Sequence, residues 1–309
     1  MGHVTELALL VPGGHGQLGS DLAAAGVRTG TVRAPGSSAL DITSDTAVRA
    51  AVADLAESAR SNGQHPFVVN AAAYTAVDAA ETDEATAHLV NAHGPATLAR
   101  ICAEFDVPMI HVSTDYVFAG DADRPYEPDD QTDPHSVYGH TKLAGEQAVL
   151  SATDRSWVVR TAWVYGAAGG NFVHTIVRLE GQRDTLSVVD DQRGSPTWSA
   201  DLAAGLLDLA TAVADDRAPA GRVLHRTGGG ETTWFGLARA VFEELGADPD
   251  RVRPCTTQDF PRPAPRPAYS VLSDAAWRAA GLVPALPWRR ALATFFDEHG
   301  TVPRKRDNA

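Results

Sequence analysis

Residues 11–23 read VPGGHGQLGSDLA. The stretch follows the apolar run ELALLVP and opens into a helix-forming segment, with Gly13, Gly16 and Gly19 at G-x-x-G-x-x-G spacing. In that setting the first glycine permits a tight turn and the middle one lets a pyrophosphate approach the backbone. The last lets helix pack on strand, and the helix N-terminus faces the phosphates. A glycine triad alone can be a structural turn; with a strand before it and a helix after it, a dinucleotide site is the expected use. Gln17 and Leu18 lie within the turn and are assigned to the same site.

Outward from this turn the chain alternates. GTVRAP reads as a short second strand, and TSDTAVRAAVADLAESARSNG as a helix that starts on hydroxyl and acidic residues and stops at Gly63. PFVVNAAA reads as a buried strand, DEATAHLVNAHGPATLARICAEFD as one long amphipathic helix, and VPMIHVSTDYVF as a strand with a polar end. SVYGHTKLAGEQAVLSA is helical and SWVVRTAWVYG strand-like. Such alternation predicts an α/β fold, a Rossmann-type doubly wound parallel sheet with helices on both faces. Beyond residue 166 glycine and proline crowd GAAGGN, RGSPT, TGGGET and DFPRPAPRPAYS. The expectation is a dinucleotide-binding domain over 1–165, joined by part of 198–226, and a smaller C-terminal α/β substrate-binding lobe over most of 166–309.

Composition narrows the function classes. Of 309 residues, 44% are hydrophobic and 21% charged, as in a folded globular protein. The formal net charge is −13 with no basic stripe, which argues against a nucleic-acid partner. The short PRKRD run near the C-terminus reads as a solvated tail. No apolar run is long enough to span a bilayer, so no membrane partner is expected. The N-terminal apolar run stops at the glycine turn and reads as a first strand, not a signal peptide. The two cysteines, Cys102 and Cys255, show no metal spacing. A reduced, cytoplasmic protein without a metal site is expected.

In open α/β sheets ligands bind outside the carboxyl ends of the strands. The end of the second strand lacks the carboxylate that bonds adenosine ribose hydroxyls; Arg33, Ser37 and Ser38 stand there instead. An arginine and hydroxyls suit a 2′-phosphate, the alternative being an exposed Arg33. Asp41 and Ile42 follow, where they can meet the adenine. NAAAYTAVDAAE supplies Ala72, Ala73 and Tyr74 for a flat cofactor, HVSTDYVF supplies Thr114 and Asp115, and RTAWVYG supplies Trp163. In VYGHTKLAGE, Tyr138 and Lys142 stand at i and i+4, on one helix face. Alone the pair is compatible with an exposed helix. Beside these strand ends it reads as an acid–base pair, the ammonium lowering the tyrosine pKa. A Thr114 hydroxyl would then bond a substrate carbonyl.

This Thr–Tyr–Lys set carries a family resemblance. The chain resembles the extended short-chain dehydrogenase/reductases, and more closely the dTDP-4-dehydrorhamnose reductases. The matching stretches are GGHGQLG, NAAAYTAVDAAE, VNAHGP, STDYVFAG, VYGHTKLAGE, RTAWVYG, GGNFV, DQRGSPTW and RPAYSVLS, in order over nearly the whole chain. The resemblance implies that Tyr138 gives a proton to a sugar ketone and that Lys142 holds the nicotinamide ribose. It also implies that Thr114 orients the carbonyl, Asp115 contacts the sugar and Trp163 closes over the hexose. Asn171, in GGNFV, is assigned to the same substrate site. The implied partner is a dTDP-activated 4-keto-6-deoxy sugar, and the cofactor NADPH or NADH, with NADPH favoured by Arg33. Arg193 and Arg266 are the candidates for the diphosphate, since arginine pairs bidentately with phosphate. Pro12 and Ala162 replace the family's usual threonine and serine. A homodimer is left open; part of the family forms a metal-bridged dimer, but no carboxylate pair here is assigned to one.

Three other readings share the scaffold. One is a 4-ketoreductase for another deoxysugar or a streptose-type sugar in secondary metabolism, in keeping with the Ala/Arg/Asp-rich composition of a GC-rich genome. Another is a non-catalytic dinucleotide-binding subunit, like the methionine adenosyltransferase β subunit. The last is an epimerase or dehydratase, against which Tyr116 stands where dehydratases carry glutamate.

Overall fold

The computed structural model describes residues 5–300, so the PRKRD run lies outside the described residues. Five strands and two helices open the chain's main layer. They are β1 (Leu7–Leu10), α1 (Gln17–Gly26), β2 (Gly30–Arg33), α2 (Asp45–Asn62), β3 (His65–Asn70), β4 (Met109–Thr114) and β5 (Ser156–Thr161). With strand Val223–His225 they form one parallel six-stranded sheet, in the order β2-β1-β3-β4-β5 and then Val223–His225. The order reverses between β1 and β3, which places the ligand crevice of an open α/β sheet above the glycine turn.

The period-two alternation of each strand divides the core. Leu7, Leu9, Phe67, Val69, Ile110 and Val159 face α1 and helix Ser199–Ala214. Ala8, Leu10, Val68, Met109 and Val158 face the other side, where α2 and the helices Gly94–Glu104 and Val137–Ala152 pack. Their ends follow local rules. Ser44 caps α2 by accepting from Ala47 N, and Gly63 ends it at φ +65°. Ser136 caps helix Val137–Ala152 by accepting from Gly139 N.

One expected element is broken. The stretch read as a single helix over 83–106 is α-helical at Glu84–His88, forms a π turn at Leu89–His93, and resumes at Gly94–Glu104. The reason is Asn91. Its Oδ1 accepts from Tyr74 N at 2.8 Å, and its Nδ2 donates to Tyr74 O and Thr141 Oγ1, both at 3.1 Å. The wider turn is the geometry that lets this buried side chain clamp the loop after β3.

A separate apolar cluster lies in the C-terminal part. It joins Val173 and Ile176 of helix Phe172–Glu180, Leu237 and Val241 of Trp234–Glu244, and Leu292 and Phe295 of Trp288–His299. Strands Leu186–Val189 and Val252–Cys255 pair in parallel beside it. No helix among the described residues is long and apolar enough to cross a membrane.

Candidate active site

A cavity of about 720 Å³ runs across the carboxyl ends of the strands, from the glycine turn to the start of helix Val137–Ala152. Gly13 forms its floor at φ +81°, and a Cβ there would sit 2.6 Å from Ala72 N. Gly19 lets α1 press on the turn, since a Cβ would meet Gly13 O at 2.1 Å. Only glycine fits either position. Gly16, Gln17 and Leu18 line the same end, with Asp41 and Ile42 beyond. Asp41 Oδ1 accepts from Thr43 N at 2.9 Å and Thr43 Oγ1 at 2.7 Å, bonds that lower its pKa.

At the other end Thr114, Asp115, Tyr138 and Lys142 come together on the wall. Register brings Thr114 of β4 beside Thr161 of β5. Thr114 donates to Asp115 Oδ1 at 2.9 Å and accepts from Tyr116 N at 3.2 Å. Tyr138 is 9% exposed. Burial pushes its phenol up to about 12, the Thr114 hydroxyl draws it back, and the Asp115 charge pushes it further up. The expectation that Lys142 lowers this pKa is therefore corrected: desolvation prevails, and no pull from Lys142 offsets it. The Lys142 Nζ donates to Val112 O at 2.7 Å and lies 3.4 Å from His111 Nε2. Burial lowers the lysine itself to about 8, partly offset by Glu146. Burial likewise raises Asp115 to about 6, against the pull of the Ser270 and Thr114 hydroxyls.

Ala72, Ala73, Trp163 and Asn171 also line the cavity. Trp163 holds a backbone φ of +49°, a costly region for a bulky residue. Its indole stacks on Trp234 with ring centroids 3.5 Å apart and planes 8° from parallel. Asn171 caps helix Phe172–Glu180 and donates to Gln17 Oε1 at 3.0 Å, joining the glycine-turn helix to the C-terminal part.

Four expected residues do not line it. Arg33 is exposed at the surface, paired with Asp54 of α2. Tyr74 packs in the small cluster with Ala80, Ala87 and Tyr138. Arg193 is exposed and paired with Glu231 at 2.9 Å. Arg266 is bound to Asp78 at 2.9 Å and faces a minor pocket with Tyr116, His135 and Ser136. Each of these arginines has a carboxylate from a distant stretch of chain, which local sequence does not announce.

Several wall residues escaped the sequence reading: His15, Thr161 and Trp234. The hydroxyls of Ser113 and Thr161 are buried without a hydrogen-bond partner. Unpaired buried hydroxyls on a cavity wall are groups waiting for a polar ligand. Together with the cramped glycine turn they fit a dinucleotide whose polar end reaches Lys142.

A turn built to receive a diphosphate and a threonine–tyrosine–lysine wall a strand-end away define a nicotinamide-dependent oxidoreductase of the short-chain dehydrogenase/reductase class. The comparisons narrow the class. The family model described as the RmlD substrate binding domain matches residues 7–300. A dTDP-4-dehydrorhamnose reductase of Mycobacterium tuberculosis is 52% identical over 291 residues, 93% of this chain and 91% of that one. The Streptomyces griseus reductase of the same name is 50% identical over 289 residues, 93% of this chain and 92% of that one. Among solved structures, the Bacillus anthracis dTDP-4-dehydrorhamnose reductase in complex with NADP superposes with a TM-score of 0.86. It is 31% identical, covering 95% of this chain and 99% of that chain. The chain belongs to the dTDP-4-dehydrorhamnose reductase family.

Proposed function

We propose that this protein reduces the C4 ketone of dTDP-4-dehydrorhamnose to give dTDP-L-rhamnose, using NADPH or NADH. The observation that carries the reading is the convergence of Thr114, Tyr138 and Lys142 on the cavity that the glycine turn opens. When bound, the reduced nicotinamide supplies a hydride to the carbonyl carbon. Tyr138 gives its phenolic proton to the oxygen as negative charge develops there. A phenol held neutral by burial is an acid until that moment, and the alkoxide is basic enough to take its proton. Thr114 bonds the same oxygen and fixes its direction. Lys142 stabilises the resulting phenolate and the cofactor ribose.

The hexose lies between Asp115 and the Trp163 indole in this reading, since flat aromatic faces bury the apolar side of a sugar at low entropic cost. The nucleotide is held by the C-terminal lobe, far from the reacting carbon, so its binding energy is spent on orientation. Arg266, already half-buried beside the cavity on Asp78, is the arginine placed to exchange partners with a diphosphate. Arg193 has no such position.

NADPH serves at least as well as NADH in this account, but not through Arg33. Gly36 and Ser37, just after β2, stand on the cavity wall with His15, and the first carboxylate after β2 on that wall is Asp41, beyond them. Gly36, Ser37 and His15 offer donors to a 2′-phosphate and carry no carboxylate themselves. Initial rates with the two cofactors test it, with Ser37→Asp as the contrast. The variant should lose NADPH activity and keep NADH activity. A strong NADH preference in the unaltered protein would refute it.

A further inference from the structure

Lys142 has an unusual neighbour that the reaction described above does not use. His111 of β4 is fully buried and sits across the sheet register from Asn70 of β3. Ala72 N donates to Asn70 Oδ1 at 3.1 Å, so the Asn70 amide turns its Nδ2 to His111 Nδ1, 3.0 Å away. An amide nitrogen donates, so Nδ1 accepts and the ring proton resides on Nε2. Burial and the nearby lysine keep this imidazole neutral far below the ordinary histidine range. Nε2 lies 3.4 Å from Lys142 Nζ. An N–H thus points at an amine, a contact that suits the lone pair of neutral lysine and opposes the ammonium.

The one anion that favours the ammonium, Glu146, is already engaged and offsets burial only in part. Both Glu146 oxygens are taken by Arg160, whose Nε and Nη2 donate at 2.9 and 2.8 Å. Among the described residues no carboxylate forms an ion pair with Lys142. The ionisable groups around it are Tyr138 and Glu146 on its own helix, His111 and Asp115 from β4 and its end, Tyr116 just beyond, and Arg160 from β5.

We propose that His111 is a positioning residue for Lys142. Its Nε2–H holds the amine beside the cavity and disfavours the ammonium, so that Lys142 hands a proton to Tyr138 after each reduction. The step balances: the Lys142 N–H bond breaks, the Tyr138 O–H bond reforms, and the amine regains a proton from water. Without such a neighbour, Lys142 would keep its proton and the phenolate would wait for solvent. The proposal rests on Lys142 acting in the reaction as described above.

Two measurements decide it. In protein carrying ¹⁵N-labelled histidine, the His111 ring nitrogens should report a neutral Nε2–H tautomer throughout the pH range of activity. An Nδ1–H tautomer would overturn the proposal, and this needs no variant. The second is the pH profile of kcat. His111→Asn keeps an amide within reach of Asn70 and removes the N–H aimed at Nζ. Its alkaline limb should move up by about one pH unit, with kcat lowered at neutral pH and dinucleotide affinity little changed. His111→Gln, long enough to return an amide N–H to Nζ, should recover part of the shift. A limb unmoved in folded His111→Asn contradicts the proposal. Lys142→Met separates the two layers. If it keeps full turnover, the reading of the site fails; if it loses turnover while the His111→Asn limb stays in place, only the proposal fails.

Discussion

Tyr138 and Lys142 sit at the point where burial and chemistry compete. A phenol pushed up to about 12 and an ammonium pulled down to about 8 both reflect desolvation first. The lysine has a consequence for stability. Its folded pKa lies below the unfolded value of 10.5, so between about pH 8 and 10.5 the unfolded chain binds more protons. Stability therefore rises with pH across that window and is lower below it. Lys142→Met should stabilise the fold at pH 7 by on the order of 2 kcal/mol and abolish that slope; chemical denaturation at several pH values measures both. Tyr138→Phe should retain the fold and cofactor binding while losing about 10²- to 10⁴-fold in turnover. Near-normal turnover in the purified variant would remove Tyr138 from the chemistry. The i, i+4 pair was legible because helix periodicity alone places both side chains on one face. What burial does to their pKa values was not legible, since it depends on the strands and loops that cover them.

At the scale of elements, the alternation of apolar strands and amphipathic helices carried the parallel sheet, and the glycine turn carried its crevice. The π turn at Leu89–His93 was hidden, because its cause is a tertiary bond from Asn91 to the loop after β3. Asn91→Ala should cost about 1–3 kcal/mol in unfolding free energy by leaving buried backbone groups of Tyr74 unpaired. It should also weaken dinucleotide binding, because the freed loop carries Ala72 and Ala73. Trp163 was expected on the cavity from its strand-end position, and it lies there. Its partner Trp234 was not foreseen, being 71 positions further along the chain by the numbering. Trp163→Ala should raise KM for the sugar nucleotide or lower kcat, with little change in thermal stability. An indole that stays stacked on Trp234 in the ligand complex would make it a packing residue instead. The arginines were the weakest part of the sequence reading. Guanidinium partners come from remote chain, so Arg33 and Arg193 could be recognised as surface ion pairs only once folded.

Over the whole molecule, the sheet and the C-terminal part meet along one cavity, with Asn171 and Gln17 hydrogen-bonded between them. In the proposed reading, a dinucleotide and a nucleotide sugar meet at the Thr114–Tyr138–Lys142 wall of that cavity. The central claim is that the two substrates react there. The most direct measurement generates dTDP-4-dehydrorhamnose in situ, adds purified protein and NADPH or NADH, and follows the loss of reduced-nicotinamide absorbance. The account predicts oxidation that requires both the ketone and the dTDP group, yields dTDP-L-rhamnose, and disappears in Tyr138→Phe. Protein that binds the dinucleotide but oxidises none of it with any keto sugar nucleotide would contradict the account and mark the chain as a non-catalytic binding subunit.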